Sequence, residues 1–361
     1  MIITHLETKS LEIPFRVAFK HASAERTVTE ALITIVKTDS GHIGYGEGCP
    51  RHYVTDETIA SAISFFNNIK SEVVKIHDIT SLKDFVIAHH LDINKNPAAW
   101  CSIETALLDA LGKECGKTLE HLLGLSELKG SFKYSAVLGV TNFKAFQLQL
   151  NQYTKLEMND FKVKLSGDLA ADKMNMDALF KLPDIRVRID ANNHWRNPAD
   201  AITYLQSLQY PFWAIEEPLQ AGDLASLAIM AKVLPTQIIL DESFLRIEQF
   251  ESLLASGIPW ILNIRLSKMG GILRSLKIIE TATKHGFRFI IGAQVGETSI
   301  LTRLALSLAN AHRTNLLAQE GAFGTYLLEH DITGNPIQFK KNGLVSTESI
   351  TGNGLGIDID E

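Results

Sequence analysis

Two lysines stand one residue apart in the apolar run FKVKLSG, residues 161–167. If this run is a strand, Lys162 and Lys164 point to the same face and bring two ammonium groups into one space. Like charges that close require solvent or a partner. Candidate partners recur downstream: Asp190 in RIDANN, Glu216 and Glu217 in AIEEP, Asp241 and Glu242 in ILDES, and Lys268 in NIRLSK. From Lys164 the steps are 26 residues to Asp190, 26 to Glu216, 25 to Asp241 and 27 to Lys268. Each step has the length of one strand–helix unit. The charges therefore fall at one level on successive strand ends, the rim where a parallel barrel carries its chemistry. An internal salt-bridge network across the barrel mouth is the alternative use of the same residues.

The order of charges is lysines, three carboxylates, then a lysine. Crowded carboxylates repel one another unless a cation neutralises them, and all-oxygen ligation favours a hard ion, Mg²⁺ first and Mn²⁺ second. Mg²⁺ held by two or three protein carboxylates keeps positions open for a substrate carboxylate. Lysines on either side of it are then placed as acid and base, and crowding by a second ammonium lowers a lysine's pKa toward neutrality. The reaction this suits is abstraction of the proton α to a carboxylate. It gives an enediolate, whose charge a metal and an ammonium stabilise.

These positions require a frame of alternating strands and helices. Strands are expected at Tyr134–Leu138, Phe161–Leu165, Val187–Ile189, Phe212–Ile215, Gln237–Leu240, Ile261–Leu266, Arg288–Ile291 and Asn315–Ala318. Helices are expected between them, for example at 198–209, 222–233, 245–256 and 270–285. Eight strands in about 190 residues point to a closed α/β barrel. A doubly wound open sheet is the alternative, without the GxGxxG loop that would support it. Before this region, residues 1–50 read as strands, with a hairpin turn at Asp39-Ser40-Gly41. Residues 55–125 read as helices, with Pro97 near the start of the longest apolar pattern.

The 361 residues are 45% hydrophobic and 21% charged, a globular composition long enough for two domains. A net charge of −6 with no basic block argues against nucleic acid or an anionic membrane as partner. The opening MIITHLETKSLEI lacks a signal peptide's apolar run, and no stretch approaches the ~20 apolar residues of a membrane span. Cys49, Cys101 and Cys115 lack CxxC spacing and read as reduced, buried thiols of a cytoplasmic protein.

With KVK, DAN, EEP, DES and NIRLSK in this order and at these separations, the sequence resembles the enolase superfamily in its muconate-lactonizing subgroup, and its dipeptide epimerases in particular. The resemblance covers nearly the whole chain. GHIGYGEG and SIETALLDALGKECGKTLEHLLG look like that family's capping domain. It implies a modified (β/α)₇β barrel, a TIM-barrel variant, at 126–324. An α+β cap at 1–125, joined by a C-terminal tail from about 325 to 361, covers it.

By the same resemblance Asp190, Glu216 and Asp241 hold Mg²⁺, with Mn²⁺ as substitute. Lys164 and Lys268 are the opposed acid and base, and Lys162 supports the substrate carboxylate and depresses its neighbour's pKa. Glu217, Glu242, Asn192 and Asn263 are placed around this set, and Glu297 in GAQVGETS near substrate or at a helix start. Arg16, Lys20, His21, Arg51 and His52 are weighed as cap-loop residues that attract an anion or as solvated loop positions. Phe15, Phe19 and Tyr53 are weighed as pocket wall or cap packing. His89, His90 and His312 have no ligand spacing.

The expected activity is epimerisation or racemisation of a dipeptide or N-acylamino acid. A cycloisomerase or an o-succinylbenzoate-synthase-like lyase on the same site, and a catalytically silent carboxylate-binding relative, are the rivals. A Schiff-base aldolase would not need three carboxylates. Typical dipeptide epimerases carry Asp-x-Asp after strand eight to hold the substrate's ammonium. Here that region is AQEGAFGTYLLE. An uncharged N-acyl group, or an amine that meets Glu320, is therefore expected. The partner is a small carboxylate substrate. Relatives are commonly dimers or octamers, so the resemblance allows a homo-oligomer.

Overall fold

The structure, a computed structural model, describes residues 1–21 and 24–360, with the side chains of residues 17–25 outside the description. Among the described residues, eight parallel strands form one sheet in chain order. They are, first to eighth, Ala136–Leu138, Asp160–Lys164, Arg186–Asp190, Ala214–Glu216, Gln237–Leu240, Ile261–Ile264, Arg288–Ile291 and Leu316–Gln319. Runs such as IIL and FII are buried on both faces, as parallel strands under helices must be. The sheet closes where Ser135 N donates to Gln319 O at 2.8 Å, joining the first and eighth strands. The helices begin at side-chain caps: Asn142, Asp168, Asn197, Asp223 and Thr298 each accept a backbone N–H of the following turn.

The barrel interior is divided. On one side Ala214, Ile239, Ile261, Ile290 and Ala318 form an apolar cluster. On the other, strand two directs Asp160, Lys162 and Lys164 inward. Strand three meets them with Arg186, Arg188 and Asp190 in register, Asp160 opposite Arg186, Lys162 opposite Arg188 and Lys164 opposite Asp190.

Ahead of the barrel, strands Ile3–Leu11, Ala31–Thr38 and Ile43–Gly48 form an antiparallel sheet around the expected hairpin. Helix Pro97–Glu114 lies on it with nearly every residue buried. The contact is made through glycine. A Cβ at Gly44, Gly46 or Gly48 would stand 2.2, 2.0 or 2.0 Å from the carbonyl oxygens of Ala106, Ser102 and Ala98. The two-residue repeat of the strand matches the four-residue repeat of the helix, so three glycines form a track. No helix is long and apolar enough to cross a membrane among the described residues.

Several boundaries differ from expectation. Residues Ser131–Lys133 leave the barrel and pair with Leu344–Ser346 of the tail, and Tyr134 N donates to Gly343 O at 2.8 Å, so strand one starts later than Tyr134. Strand six stops at Ile264, and Lys268 sits on a short helix, Leu266–Met269, ended by Gly270 at φ 79°. The helix expected at 245–256 opens with a 3₁₀ turn, Ile247–Gln249, because Gln249 Oε1 accepts the Leu245 and Arg246 N–H groups. Cys49 and Cys101 are buried, but Cys115, at the end of helix Pro97–Glu114, is exposed.

Candidate active site

The carboxyl ends of strands two to six bring the spaced charges together. Lys162 Nζ lies 3.0 Å from Asp190 Oδ2, 2.9 Å from Glu216 Oε1 and 3.3 Å from Glu320 Oε2. Burial alone would lower this ammonium, but Asp190, Glu216 and Glu320 outweigh it and raise its pKa. Lys162 is thus a fixed cation. Lys164 Nζ donates to Asn192 Oδ1 at 2.8 Å and lies 3.5 Å from Asp190 Oδ2. Asn192 and Asn193 both have left-handed backbones, φ 46° and 59°, which turn the chain so that Asn192 N reaches Asp190 Oδ1 at 3.0 Å. Burial works against the Asp190 carboxylate, yet Lys162 and Lys164 hold it well below the usual range.

Glu216 Oε1 also accepts from Asn263 Nδ2 at 2.8 Å. Strand seven makes room for Asn263 with Gly292, where a Cβ would stand 2.2 Å from Asn263 Oδ1. Glu217 turns away from this row. Its oxygens accept Asp241 N at 2.6 Å, Ser243 N at 2.7 Å and Ser243 Oγ at 2.9 Å, pinning the loop after strand five. Lys268 Nζ donates to Asp241 Oδ1 at 2.8 Å, Asp241 O at 2.7 Å and Asn263 O at 2.8 Å. Burial, then Arg265, lowers its pKa to about 7. Burial also pushes Glu217 and Glu242 up to about 7, Glu242 further helped by Glu217 and Asp190.

Glu297, pushed up to about 8 by burial against the opposing Gln294 N–H, accepts that N–H at 2.6 Å. That bond ties it to its own loop, ahead of the helix Ser299–Ala311. Glu320 is paired with two buried cations. Its Oε1 accepts Arg188 Nη2 at 2.7 Å and its Oε2 faces Lys162. Burial would raise its pKa, but Lys162 and Arg188 bring it down to about 2.

Three participants were not assigned from sequence. Arg188 lies two residues before Asp190 on the same strand face, a parity signal that pointed inward. Arg265 lies within NIRLSK. Its guanidinium bonds Asp241 Oδ2, comes within 3.8 Å of Glu216 Oε1 and donates to Gln294 Oε1 at 3.1 Å. Gln294, the third, had no sequence signal.

Around the mouth, Arg51 is buried, and its donors go to the carbonyl oxygens of Glu30, Pro50, Thr29 and Val295. Arg16 donates to Thr325, Leu328 and Glu329 carbonyls. Both clamp backbone carbonyl groups. His52 is exposed and edge-on to Tyr53. Phe15 packs in a buried cluster with Ile13 and Leu328. The side chains of Phe19, Lys20 and His21 lie outside the described residues. His89 stacks on Phe85 at 4.1 Å and His312 meets Phe289 edge-on, so both are packing residues.

The row Asp190, Glu216, Asp241 is an all-oxygen set on three adjacent strands. No group of three His, Cys, Asp or Glu converges as a ready cation cage among the described residues. Instead Lys162 lies between Asp190 and Glu216, and Arg265 between Glu216 and Asp241. The set still fits a hard divalent ion. Asp190 Oδ2 and Glu216 Oε2 are buried carboxylate oxygens without a hydrogen bond, and they meet the Lys162 ammonium at 3.0 and 2.9 Å, so both already face a cation.

Fold and site together define a barrel enzyme with a charged rim, and a family comparison agrees. The chain belongs to the Enolase C-terminal domain-like family, matched over residues 145–361. Its relatives include epimerases and racemases and also an o-succinylbenzoate synthase. It is 27% identical to a hydrophobic dipeptide epimerase of Enterococcus faecalis over 87% of this chain and 88% of that one. It is 24% identical to an N-succinyl-L-Arg/Lys racemase of Bacillus cereus, over 86% and 84% respectively. The crystal structure of a dipeptide epimerase from Enterococcus faecalis with Mg and L-Leu-L-Tyr superposes with a TM-score of 0.86. It is 26% identical and covers 99% of this chain and all of that one.

Proposed function

We propose that the protein epimerises or racemises a dipeptide or an N-acylamino acid at the carbon α to its carboxylate. One observation carries the reading: two lysines flank three carboxylates on consecutive strand ends, with Lys164 on strand two and Lys268 after strand six. In a barrel of eight strands, strands two and six stand on opposite sides, so the lysines address opposite faces of one carbon. Asp190, Glu216 and Asp241 would hold Mg²⁺, which when bound supplies positive charge to the substrate carboxylate as the α-proton leaves. Lys162, fixed as a cation, stabilises the same developing charge. Lys268, with its pKa near 7, is able to take or return a proton at neutral pH. Glu217 holds the strand-five loop so that Asp241 and Lys268 keep their places. The sheet and helices of residues 1–125, with the tail from about 325, act as the cap over this rim.

Protein with Mg²⁺ in D₂O, incubated with pools of dipeptides, N-acylamino acids and cyclic acids, tests this. A one-unit mass gain without other loss is expected in the first two pools. Loss of water or ring closure would identify a lyase, and no exchange in any pool a silent relative. Lys164→Ala and Lys268→Ala should each lower racemisation by on the order of 10³-fold, while one of them keeps α-hydrogen exchange of a single enantiomer. Full turnover in both variants would remove the two-lysine assignment.

A further inference from the structure

Lys162 has three carboxylate neighbours, and two of them are the proposed metal ligands Asp190 and Glu216. Its ammonium therefore competes for the same oxygens as a cation would. The third neighbour, Glu320, belongs to a different construction. Glu320 Oε1 is held by Arg188 Nη2 at 2.7 Å. Arg188 Nη1 donates to Ser135 Oγ at 2.9 Å and to Asp160 Oδ1 at 3.2 Å, and Asp160 Oδ2 accepts Arg186 Nη1 at 3.0 Å. This is a chain of alternating charges down the polar half of the barrel. Lys162 and Arg188 are only 2% and 0% exposed, so the charges act with little screening. The chain gives Glu320 a fixed place from which to attract Lys162.

We infer that Glu320, held by Arg188, is the positioning counter-ion that keeps Lys162 neutralised when Asp190 and Glu216 turn to a divalent cation. The inference rests on the metal centre proposed above. With Glu320 in place, Lys162 keeps a counter-ion when Asp190 and Glu216 turn to the metal. Without its charge, Lys162 has only the ligands themselves to neutralise it, and a buried net positive charge faces the incoming ion.

The test is Mn²⁺ affinity, read as free Mn²⁺ by electron paramagnetic resonance in the full-length protein, with thermal stability measured alongside. Glu320→Gln keeps size and removes charge, and its Mn²⁺ Kd is expected to rise about tenfold, the usual scale for groups behind a metal ligand. Glu320→Asp restores the charge and should recover part of the affinity. Gly46→Ala, where the added methyl would meet only the helix Pro97–Glu114, is the control. It should lower the melting temperature while leaving the Mn²⁺ Kd within about twofold, because it touches no member of the chain. A wild-type Kd in Glu320→Gln overturns the inference and leaves the metal centre standing. Equal weakening in Gly46→Ala and Glu320→Gln also overturns it, by making affinity follow general destabilisation. Absence of Mn²⁺ binding to the wild type overturns the metal centre and this inference together.

Discussion

Lys162 and Lys164 share a strand face but not a role. Lys162 is enclosed by Asp190, Glu216 and Glu320 and stays charged, while Lys164 reaches past them to Asn192. At Lys268 burial and Arg265 together lower the ammonium's pKa to about 7. The types and spacing of the rim residues were legible because each lies one strand–helix unit from the next. Glu320's commitment to Arg188 was not, because those residues are 132 positions apart and meet only across the closed barrel. A metal test belongs at this scale. Mg²⁺ at 100 times its Kd should stabilise the wild type by about 2.7 kcal/mol, seen as a rise in melting temperature. Asp190→Asn should lose most of that rise, and an undiminished rise would take Asp190 out of the ligand set.

At the scale of elements, the helix Pro97–Glu114 and the strand Ile43–Gly48 meet backbone to backbone. A methyl at Gly46 would fall 2.0 Å from Ser102 O, and neither partner can swing aside as a side chain would. Gly46→Ala should therefore cost about 3 kcal/mol, the upper range of overpacking, read from chemical denaturation. A loss below 0.5 kcal/mol would mean the helix rides elsewhere. The glycines were visible in GHIGYGEG and the helix in its apolar spacing. Their mutual contact was not, since nothing in either pattern names the partner. Likewise the start of strand one escaped a local reading, because the tail takes Tyr134 N, which donates to Gly343 O.

Across the whole molecule, buried carboxylates fasten the leading region to the barrel. Glu104, on the helix under the sheet, accepts Leu273 N at 3.1 Å at the start of barrel helix Ile272–Lys284, and Trp100 Nε1 at 3.1 Å. Glu47 accepts Thr298 N at 2.9 Å and Leu301 N at 3.2 Å on the helix after strand seven. The Arg303 guanidinium grips Glu120 with two bonds of 2.8 and 3.0 Å. Burial, against the Leu273 and Trp100 donors, pushes Glu104 up to about 7 from an ordinary 4.5. A raised pKa means the fold prefers the protonated acid. Its stabilisation is complete below pH ~4.5 and is lost as the pH rises to about 7, a change of about 3 kcal/mol for one group. Glu104→Gln should flatten the fall in melting temperature between pH 4.5 and 7. An unchanged slope would show that Glu104 is ionised in the fold.

Alternation and spacing pointed to eight strands with helices between them, and to the lysines and carboxylates that stand at successive strand ends. They could do so because each is a local period, repeated about every 26 residues. Only the tertiary structure decided which charge neutralises which. Closure of the sheet brings Glu320 to Arg188 and Lys162, turns Glu217 toward Ser243, and sets Arg265 between Glu216 and Asp241. Pairing of charges depends on distances of a few ångströms between distant segments, and burial makes those distances decisive by removing the water that would otherwise screen them.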